Sequence, residues 1–370
     1  MIGIHGIVFA YQQRESLQEL VKERASASVP FGGRYRAIDF AISNLVNAGA
    51  RDVGVLVQER YQSLLDHLGT GKNFDLSRKR GGLRILPPFN IMDDGGNKNF
   101  RGKMEALCGV RGYIADIKQD YVVMIDGDLV SNLPISEIVQ SHIKNKADIT
   151  VVCGNDSFYV DSGTYFQTDE DGRVTDVLYN IHTPKGRRGL EVYVISKALL
   201  LEVVDYCISH DKYSFRKDVL QEMKDELVIR TYVWEGFAAQ VRSVKEYFER
   251  SMQLLNPEIR KDLFREERPI KAKGADKSSA VIAPGGCVHN AIIGDGCLIE
   301  GIVENSILFP GVRVGKGSVV RNCVLFKETV IGRRAEAAFI ISDKRVRLTD
   351  GATIIGSALY PLAIEKGSVV

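Results

Sequence analysis

Aliphatic residues recur every five or six positions through the last quarter of the chain, and this spacing restricts the fold more than any other feature. The pattern begins at Ile282, and a glycine directly follows Ile293, Val314 and Ile331. A β-sandwich would instead place turns about every 8 to 12 residues. The shorter period is typical of hexapeptide repeats, whose short strands coil so that each aliphatic side chain stacks on the coil below. We therefore predict a parallel β-helix.

The chain before this region alternates short apolar runs with helical segments. The apolar runs cover residues 4–10, 52–58, 121–128 and 148–154. Continuous apolar runs are typical of strands buried on both faces. This alternation predicts an α/β fold with a mostly parallel sheet and helices on both sides. In such a sheet the ligand crevice lies at the carboxyl ends of the strands.

These patterns predict three parts: an α/β domain (1–245), a helical connector with a polar linker (246–275) and a β-helix domain (276–370). Lysine and arginine total 49 against 47 aspartate and glutamate, so no strong field favours nucleic acid or a membrane surface. The first residues lack a secretory signal, and no apolar run is long enough to span a bilayer. We therefore expect a cytoplasmic protein. The six cysteines lack C-x-x-C spacing, which argues against zinc ribbons and redox pairs.

Three stretches identify a family. They are VPFGGRYRAIDFAISNLVNAG (29–49), FRGKMEAL (100–107) and MIDGDLV (124–130). With the β-helix pattern, they resemble the ADP-glucose pyrophosphorylases, the glucose-1-phosphate adenylyltransferases of glycogen and starch synthesis. The likeness extends along nearly the whole chain. It implies a Rossmann-like nucleotidyltransferase domain followed by a left-handed parallel β-helix, and a reaction of ATP with glucose 1-phosphate that yields ADP-glucose and pyrophosphate.

The phosphate-binding loop of that family is altered here. Active members carry G-G-x-G-x-R-L, and an ungapped alignment places Tyr11, Gln12 and Arg14 on the three glycines. Their side chains should obstruct the close backbone approach that phosphates require. Ser16 takes the position of the family's arginine, and Ser26 that of the lysine in K-P-A. Both substitutions remove a positive charge that would stabilise the reacting phosphates.

The family's metal pair is half retained. Asp126 and Asp128 close an apolar strand, and Asp128 matches the first metal-binding aspartate, whereas Gln240 takes the position of the second. Because Mg²⁺ favours carboxylates together with substrate phosphates, one carboxylate beside an amide makes a weak site. We interpret Asp128 as a remnant and expect no cofactor for this chain; the resemblance assigns Mg²⁺ to a catalytic partner.

Two other substrate positions differ as well. The family's sugar-phosphate lysine belongs to an E-K-P motif, but here His182 and Thr183 precede Pro184, and Lys185 comes too late for a secure match. The R-G pair that opens the R-G-T-A-D-A helix is kept as Arg101 and Gly102. Its Thr and Asp are replaced by Lys103 and Glu105. We expect Arg101, Gly102, Asp126 and Asp128 to line a vestigial substrate pocket.

These substitutions favour a catalytically inactive, regulatory or structural subunit, most similar to the GlgD-type subunit of the family. The resemblance implies a heterotetramer with a catalytic ADP-glucose pyrophosphorylase subunit. It also implies a possible sugar-phosphate or nucleotide effector.

Two alternatives remain. The first is an active nucleotidylyltransferase with a rearranged site, in which Arg14 replaces the lost arginine and Lys103 or Lys185 holds the phosphates. The second is a β-helix acyltransferase that uses His289, the one histidine in the repeats, as its base.

Overall fold

The structure is a computed structural model that describes residues 2–12, 14–87, 100–155, 163–179, 185–274 and 278–370. The strands of the α/β domain are Ile4–Phe9 (β1), Pro30–Phe31 (β2), Tyr35–Arg36 (β3), Asp52–Leu56 (β4), Gly82–Leu86 (β5), Tyr121–Asp126 (β6), Leu129–Ser131 (β7), Ile149–Gly154 (β8), Thr164–Thr168 (β9), Val174–Tyr179 (β10), Arg187–Ser196 (β11), Ile229–Trp234 (β12) and Ala238–Gln240 (β13). The α-helices are Ala37–Asn47 (α1), Gln62–Leu68 (α2), Lys103–Gly109 (α3), Arg111–Ala115 (α4), Ile135–Lys144 (α5), Lys197–Ser209 (α6), Val244–Gln253 (α7) and Pro257–Leu263 (α8). Glu15–Val21, Ser26–Ser28 and Lys72–Phe74 form 3₁₀ turns, and Phe215–Gln221 forms a π-helical segment.

The main sheet confirms the predicted α/β class. Its centre is parallel, in the order β6-β1-β4-β5, and two buried apolar clusters cover its opposite faces. The sheet is mixed, however, because β11 runs antiparallel to both β6 and β8. Strands β9, β10 and β11 were not predicted from the sequence, and neither was the antiparallel direction of β11. The consequence for the site is that β11 brings its own side chains beside the carboxyl end of β6.

The residues of the stretch 29–49 have structural roles in and around helix α1. Ile38 and Phe40 are fully buried, and the Asp39 carboxylate accepts a 2.9 Å hydrogen bond from the Arg36 backbone amide. That bond satisfies an amide at the start of the helix. Gly49 follows the helix at φ +89°, a conformation that favours glycine. These residues support the frame of the domain rather than the crevice.

The predicted parallel β-helix is present. Its strands are Val281–Ile282 (β14), Cys287–Ile293 (β15), Leu298–Ile299 (β16), Ile302–Leu308 (β17), Arg313–Val314 (β18), Val319–Arg321 (β19), Val324–Leu325 (β20), Val330–Ile331 (β21), Glu336–Ala338 (β22), Ile340–Ser342 (β23), Arg347–Leu348 (β24), Thr353–Ile355 (β25) and Leu362–Ile364 (β26). All pair in parallel, in one sheet of five strands and one of eight. Paired residues lie 17 positions apart in most coils, as with Val319 and Glu336.

The glycines that follow the aliphatic residues allow the coils to approach each other. A Cβ on Gly332 would lie 2.6 Å from the Thr349 carbonyl carbon, and one on Gly315 would lie 2.8 Å from the Gly332 carbonyl oxygen. Neither position therefore has room for a side chain. In each aliphatic–glycine pair the aliphatic side chain fills the interior of the β-helix, and the glycine allows neighbouring coils to lie close together.

The two domains share a buried interface. Tyr247 of α7 packs edge-on against Phe326 of the β-helix, with ring centroids 6.1 Å apart. Beside these rings, Arg24 and Asp343 form an ion pair of 2.9 Å, each with only 3% of its side chain exposed. The β-helix is therefore attached to the α/β domain by both apolar packing and a buried charge pair. Among the described helices, none is long and apolar enough to cross a membrane.

Candidate functional site

The candidate site is a crevice at the carboxyl ends of β1 and β6. These neighbouring strands are parallel, and Phe9 pairs with Asp126 in register. Parallel strands bring the residues that follow them to the same edge of the sheet. A cavity of about 380 Å³ opens there. Of the predicted site residues, its lining includes Tyr11, Gln12, Arg14, Arg101, Gly102 and Asp126.

The residues that replace the family's glycines reach back to the carboxylates after β6. The Gln12 side-chain amide donates a 2.8 Å hydrogen bond to Asp126 Oδ2. Arg14 Nε donates to Asp128 Oδ2 at 3.1 Å, and its Nη2 lies 4.0 Å from Asp126 Oδ2. The loop after β1 therefore contacts the crevice through side chains, where a phosphate-binding loop would present bare backbone.

Asp126 and Asp128 are deeply buried, with exposures of 0% and 2%. Arg14 is 24% exposed at its side chain, so it covers the two carboxylates from the solvent side. Ser26 adds its hydroxyl, which donates to the Gln12 carbonyl at 2.8 Å and approaches Asp128 Oδ2 at 3.4 Å. Ser26, which takes the position of the lysine in the family's K-P-A motif, thus binds the loop that follows β1.

Lys103 forms a second contact to the same carboxylates. Its ammonium lies 2.8 Å from Asp126 Oδ1 and also pairs with Glu191 on β11. Glu191 accepts hydrogen bonds from the Tyr193 hydroxyl at 2.9 Å and from the Thr164 hydroxyl at 3.2 Å. The crevice therefore contains a continuous network of alternating charges that begins at Asp128 and ends at Glu191.

Glu191 has an unusual backbone conformation. Its φ is +59°, and the pairing of β11 with β8 shifts register between Gly189 and Tyr193. Positive φ costs a residue with a side chain about 1 to 3 kcal/mol, which the surrounding structure must offset. The bulge turns the Glu191 carboxylate toward Lys103. Such strain clusters at functional sites.

The network changes the protonation of its members. Burial raises the pKa of Asp126, although Lys103 opposes this effect. Burial alone would raise the pKa of Glu191, but Lys103 and Arg242 hold that pKa below its ordinary value. Burial would lower the pKa of Arg14, but Asp128 and Asp126 raise it. The same carboxylates, Asp126 and Glu191, raise the pKa of Lys103 against the effect of burial, so the shifts of Arg14, Lys103 and Glu191 all favour the charged forms that the ion pairs need.

Two further predicted positions, Gln240 and Ser16, are not part of the crevice lining. Gln240 is 1% exposed, and its side-chain oxygen accepts from Arg188 Nη1 at 3.4 Å. The Ser16 hydroxyl donates to the Arg242 carbonyl at 2.5 Å. Arg188, Arg242 and Glu246 are also buried, and burial raises the pKa of Glu246. The position of the family's second metal aspartate thus belongs to an arginine-rich interior.

The donor set does not fit a divalent metal. Within the described residues, no three histidine, cysteine, aspartate or glutamate side chains are grouped so that they could hold a metal ion. Asp126 and Asp128 already have cationic partners, and the amide of Gln240 faces Arg188. Mg²⁺ needs about six oxygen ligands in near-ideal octahedral geometry, several of them from carboxylates, phosphates and water.

Several sequence-predicted residues lie elsewhere or outside the described part of the chain. Lys185 is solvent-exposed and is not part of the crevice lining, and His289 is exposed on β15. Gln13, His182, Thr183 and Pro184 lie outside the described residues.

Glu191 and Arg242 also line the cavity, although neither was predicted from the sequence. A carboxylate inside the apolar run GLEVYVIS was the signal that could have identified Glu191, because a charged residue in a buried strand needs a partner.

A second pocket lies between the two domains. Its lining has six cationic side chains (Arg24, Arg36, Lys327, Lys344, Arg345 and Lys366) and three anionic ones (Glu23, Asp66 and Glu328). Burial, together with the nearby charges of Arg36 and Arg24, lowers the pKa of Lys344 to about 8. Burial likewise lowers the pKa of Arg36 to about 10. The crowding of positive charge makes this pocket suited to an anion.

The fold and the crevice define a nucleotidyltransferase-like domain joined to a hexapeptide β-helix. Two family models agree with this class: Nucleotidyl transferase over residues 15–227, and GlmU-like, C-terminal hexapeptide, over residues 277–359. The chain is 31% identical over 364 residues to the glycogen biosynthesis protein GlgD of Bacillus subtilis, which covers 98% of this chain and 96% of that protein. The chain belongs to the ADP-glucose pyrophosphorylase family and is GlgD-like.

Sequence identity alone does not distinguish whether this chain is more similar to the adenylyltransferases or to the GlgD proteins of the family. The glucose-1-phosphate adenylyltransferase of Geobacillus stearothermophilus is 32% identical over 322 residues, 85% of this chain and 82% of that enzyme. The GlgD of the same organism is also 32% identical, over 315 residues, with the same coverage of each chain. The individual residues of the crevice must therefore distinguish an adenylyltransferase from a GlgD-like protein.

Proposed function

We propose that this chain is a non-catalytic, regulatory or structural subunit of a heteromeric ADP-glucose pyrophosphorylase that acts in glycogen biosynthesis. One observation carries the proposal: Arg14 pairs with Asp128, and Lys103 pairs with Asp126 and Glu191. The carboxylates of the crevice are neutralised by the chain's own cations before any substrate enters. Glycogen biosynthesis follows from the GlgD and adenylyltransferase relatives.

The energetic argument concerns the charge that develops on the transferred phosphate. Loss of one preorganised donor typically costs about 2.7 to 4 kcal/mol of transition-state stabilisation. Ser16, Ser26 and Gln240 each replace a charged residue of the family motif, and Tyr11 and Arg14 cover backbone that the motif leaves open. Together these changes predict an isolated chain without measurable adenylyl transfer.

The test compares the chain alone, the catalytic subunit alone and the two produced together. We expect no ADP-glucose from this chain alone, a mixed assembly by light scattering, and a changed rate or effector response for the assembly. Synthesis of ADP-glucose by the purified chain at the rate of the catalytic subunit would refute the proposal. Failure to form a mixed assembly, with the catalytic subunit unchanged, would refute the partner role.

The rival hypothesis, an active enzyme with a rearranged site, requires Arg14 and either Lys103 or Lys185 to hold phosphates. Arg14 and Lys103 are engaged with carboxylates, and Lys185 is exposed away from the lining of the crevice. Magnesium-dependent ATP binding by the isolated chain, measured by titration calorimetry, would support this rival. The acyltransferase hypothesis is less favoured because His289 is exposed, with no hydrogen-bond partner described for its ring.

The apolar last coil of the β-helix supports the partner proposal. Residues 352–364 contain no charged side chain, and Leu359 and Tyr360 are 64% and 79% exposed. The coil is longer than the others, because Ile340 pairs with Leu362, 22 positions on, whereas Val324 pairs with Ile341, 17 positions on. Exposed apolar loops and strand edges favour subunit contact. We propose that this coil contacts the β-helix of the catalytic subunit in a heterotetramer.

Charge substitution tests this contact. We expect Tyr360→Asp to weaken assembly at least tenfold, because a carboxylate would be buried in an uncharged interface. Tyr206→Asp, at a tyrosine 39% exposed on α6, is the matched control and should leave assembly unchanged. Equal assembly by Tyr360→Asp and the wild type would exclude this surface.

The interdomain pocket is our proposed site for an anionic effector, whether a sugar phosphate or a nucleotide. We expect inorganic phosphate and AMP to raise the melting temperature of the chain. Replacing Lys327 and Arg345 with glutamine should weaken binding about tenfold, because two charges near the pocket mouth are lost. Binding that is unaffected by this double variant would place the effector elsewhere.

A further inference from the structure

We infer that Arg14 and Lys103 serve as the resident cations of the crevice in place of a divalent metal ion. The inference goes beyond the proposed function, because it concerns the charge chemistry of the crevice and holds whether or not a partner chain binds. It makes two claims. The native crevice has no affinity for Mg²⁺ or Mn²⁺, and removal of the Arg14 guanidinium uncovers a divalent-cation site.

The first step concerns which carboxylate oxygens are occupied. Asp128 Oδ2 accepts from Arg14 Nε at 3.1 Å, and Asp126 Oδ2 accepts from the Gln12 amide at 2.8 Å. Asp126 Oδ1 lies 2.8 Å from the Lys103 ammonium. Two of the four oxygens thus accept hydrogen bonds from this chain, and a third, Asp126 Oδ1, lies in ion-pair contact with Lys103 without accepting a hydrogen bond. A metal ion would have to displace these contacts and then lie beside two fixed positive charges.

The second step concerns the fourth oxygen. Asp128 Oδ1 is buried and accepts no hydrogen bond in the described part of the chain. A buried carboxylate oxygen without a partner is costly, and it is a ready ligand for a hard cation. Arg14 is the side chain that keeps such a cation out, because its guanidinium lies within 4.0 Å of both carboxylates.

The third step concerns what remains when Arg14 is shortened. Asp126, which lines the cavity, would then lie open to water with Asp128 buried beside it, and the Ser26 hydroxyl, 3.4 Å from Asp128 Oδ2, would be a further oxygen. Two adjacent carboxylates that share one site repel each other, so a cation that replaces the guanidinium is favoured. Lys103 stays paired with Glu191 and holds the rest of the network in place.

The experiment uses the full chain and measures melting temperature with and without MnCl₂ or MgCl₂. We expect neither salt to affect the wild type beyond an equal ionic strength of KCl. Arg14→Ala should melt lower than the wild type and regain at least about 2 °C with MnCl₂ at concentrations well above its Kd. The Mn²⁺ electron paramagnetic resonance signal should report bound ion in that variant and none in the wild type.

Two controls separate this inference from general effects. Arg14→Lys keeps a cation beside Asp128 and should not bind Mn²⁺, and Arg14→Ala combined with Asp128→Asn removes the ligand and should lose the response. Arg14→Gln serves if the alanine variant does not fold. Binding of Mn²⁺ by the wild type, or none by both Arg14→Ala and Arg14→Gln, would overturn the inference. Neither result would decide whether the chain assembles with a partner, which the coexpression experiment measures.

Discussion

Arg14 Nε lies 3.1 Å from Oδ2 of Asp128, although the two residues are 114 positions apart in the chain. Both stand at positions where the family motif has other roles: a phosphate-loop glycine and a metal-binding aspartate. One ion pair therefore joins the loop after β1 to the carboxylates after β6. In this pair the substituted loop residue and the retained carboxylate each provide the counter-charge of the other.

Substitutions of Lys103 and of its partner Glu191 should lower the free energy of unfolding by unequal amounts. Lys103→Met leaves Asp126 and Glu191 both buried without their shared cation, and we expect it to lower the free energy of unfolding by about 3 to 5 kcal/mol. Glu191→Gln should cost about 1 to 3 kcal/mol, because Lys103 keeps Asp126 as a partner. Urea unfolding of both single variants and the double variant gives the coupling energy. Strictly additive effects would mean that the ion pair is not formed.

The interdomain ion pair predicts a coupling between the two domains. Arg24 and Asp343 are each 3% exposed, so removing one partner leaves a buried charge. We expect Arg24→Met or Asp343→Asn to destabilise the protein by about 3 to 5 kcal/mol. Arg24→Met combined with Asp343→Leu should recover much of that loss. Calorimetry of the single variants should show the β-helix and the α/β domain melting in separate transitions, and one unshifted transition would contradict the prediction.

His5 predicts a loss of stability in mild acid. Burial lowers its pKa to about 4, against an opposing effect of Asp52. Since the unfolded state takes up the proton near pH 6.5, His5 alone should lower the free energy of unfolding by up to about 1.4 kcal/mol per pH unit as pH decreases from about 6.5 to about 4. Buried His142, whose pKa is also lowered to about 4, should add a similar contribution. His5→Gln should flatten this slope. His289→Gln, at an exposed histidine, is the control, and an identical slope in His5→Gln and the wild type would refute the assignment.

Two glycine-to-alanine substitutions predict opposite results. A Cβ on Gly332 would lie 2.6 Å from the carbonyl carbon of Thr349 in the next coil, so Gly332→Ala should destabilise the protein by about 1 to 3 kcal/mol. Gly112 lies in helix α4 with no neighbouring atom within 4 Å of an added Cβ. Gly112→Ala should therefore raise the free energy of unfolding by up to about 1 kcal/mol. Equal effects of the two variants would show that the tight spacing of the coils is relaxed in solution.

The sequence by itself determined the two fold classes and the loss of the phosphate loop. The spacing of Val314 and Ile331 is periodic, and periodic side chains specify local structure without knowledge of distant contacts. The substitutions at Tyr11, Ser16 and Gln240 are likewise visible as residue types. The domain limits at 245 and 275 and the left-handed coil stay predictions.

Only the tertiary structure decided what fills the crevice. In the sequence, Lys103 stands out only as a departure from the family motif or as a possible phosphate ligand, and Glu191 belongs to no motif. Their pairing depends on the bulge in β11 and on an antiparallel strand order that residue patterns do not encode. Charges that are 88 positions apart become partners only when the fold buries them together, because burial makes an unpaired charge costly.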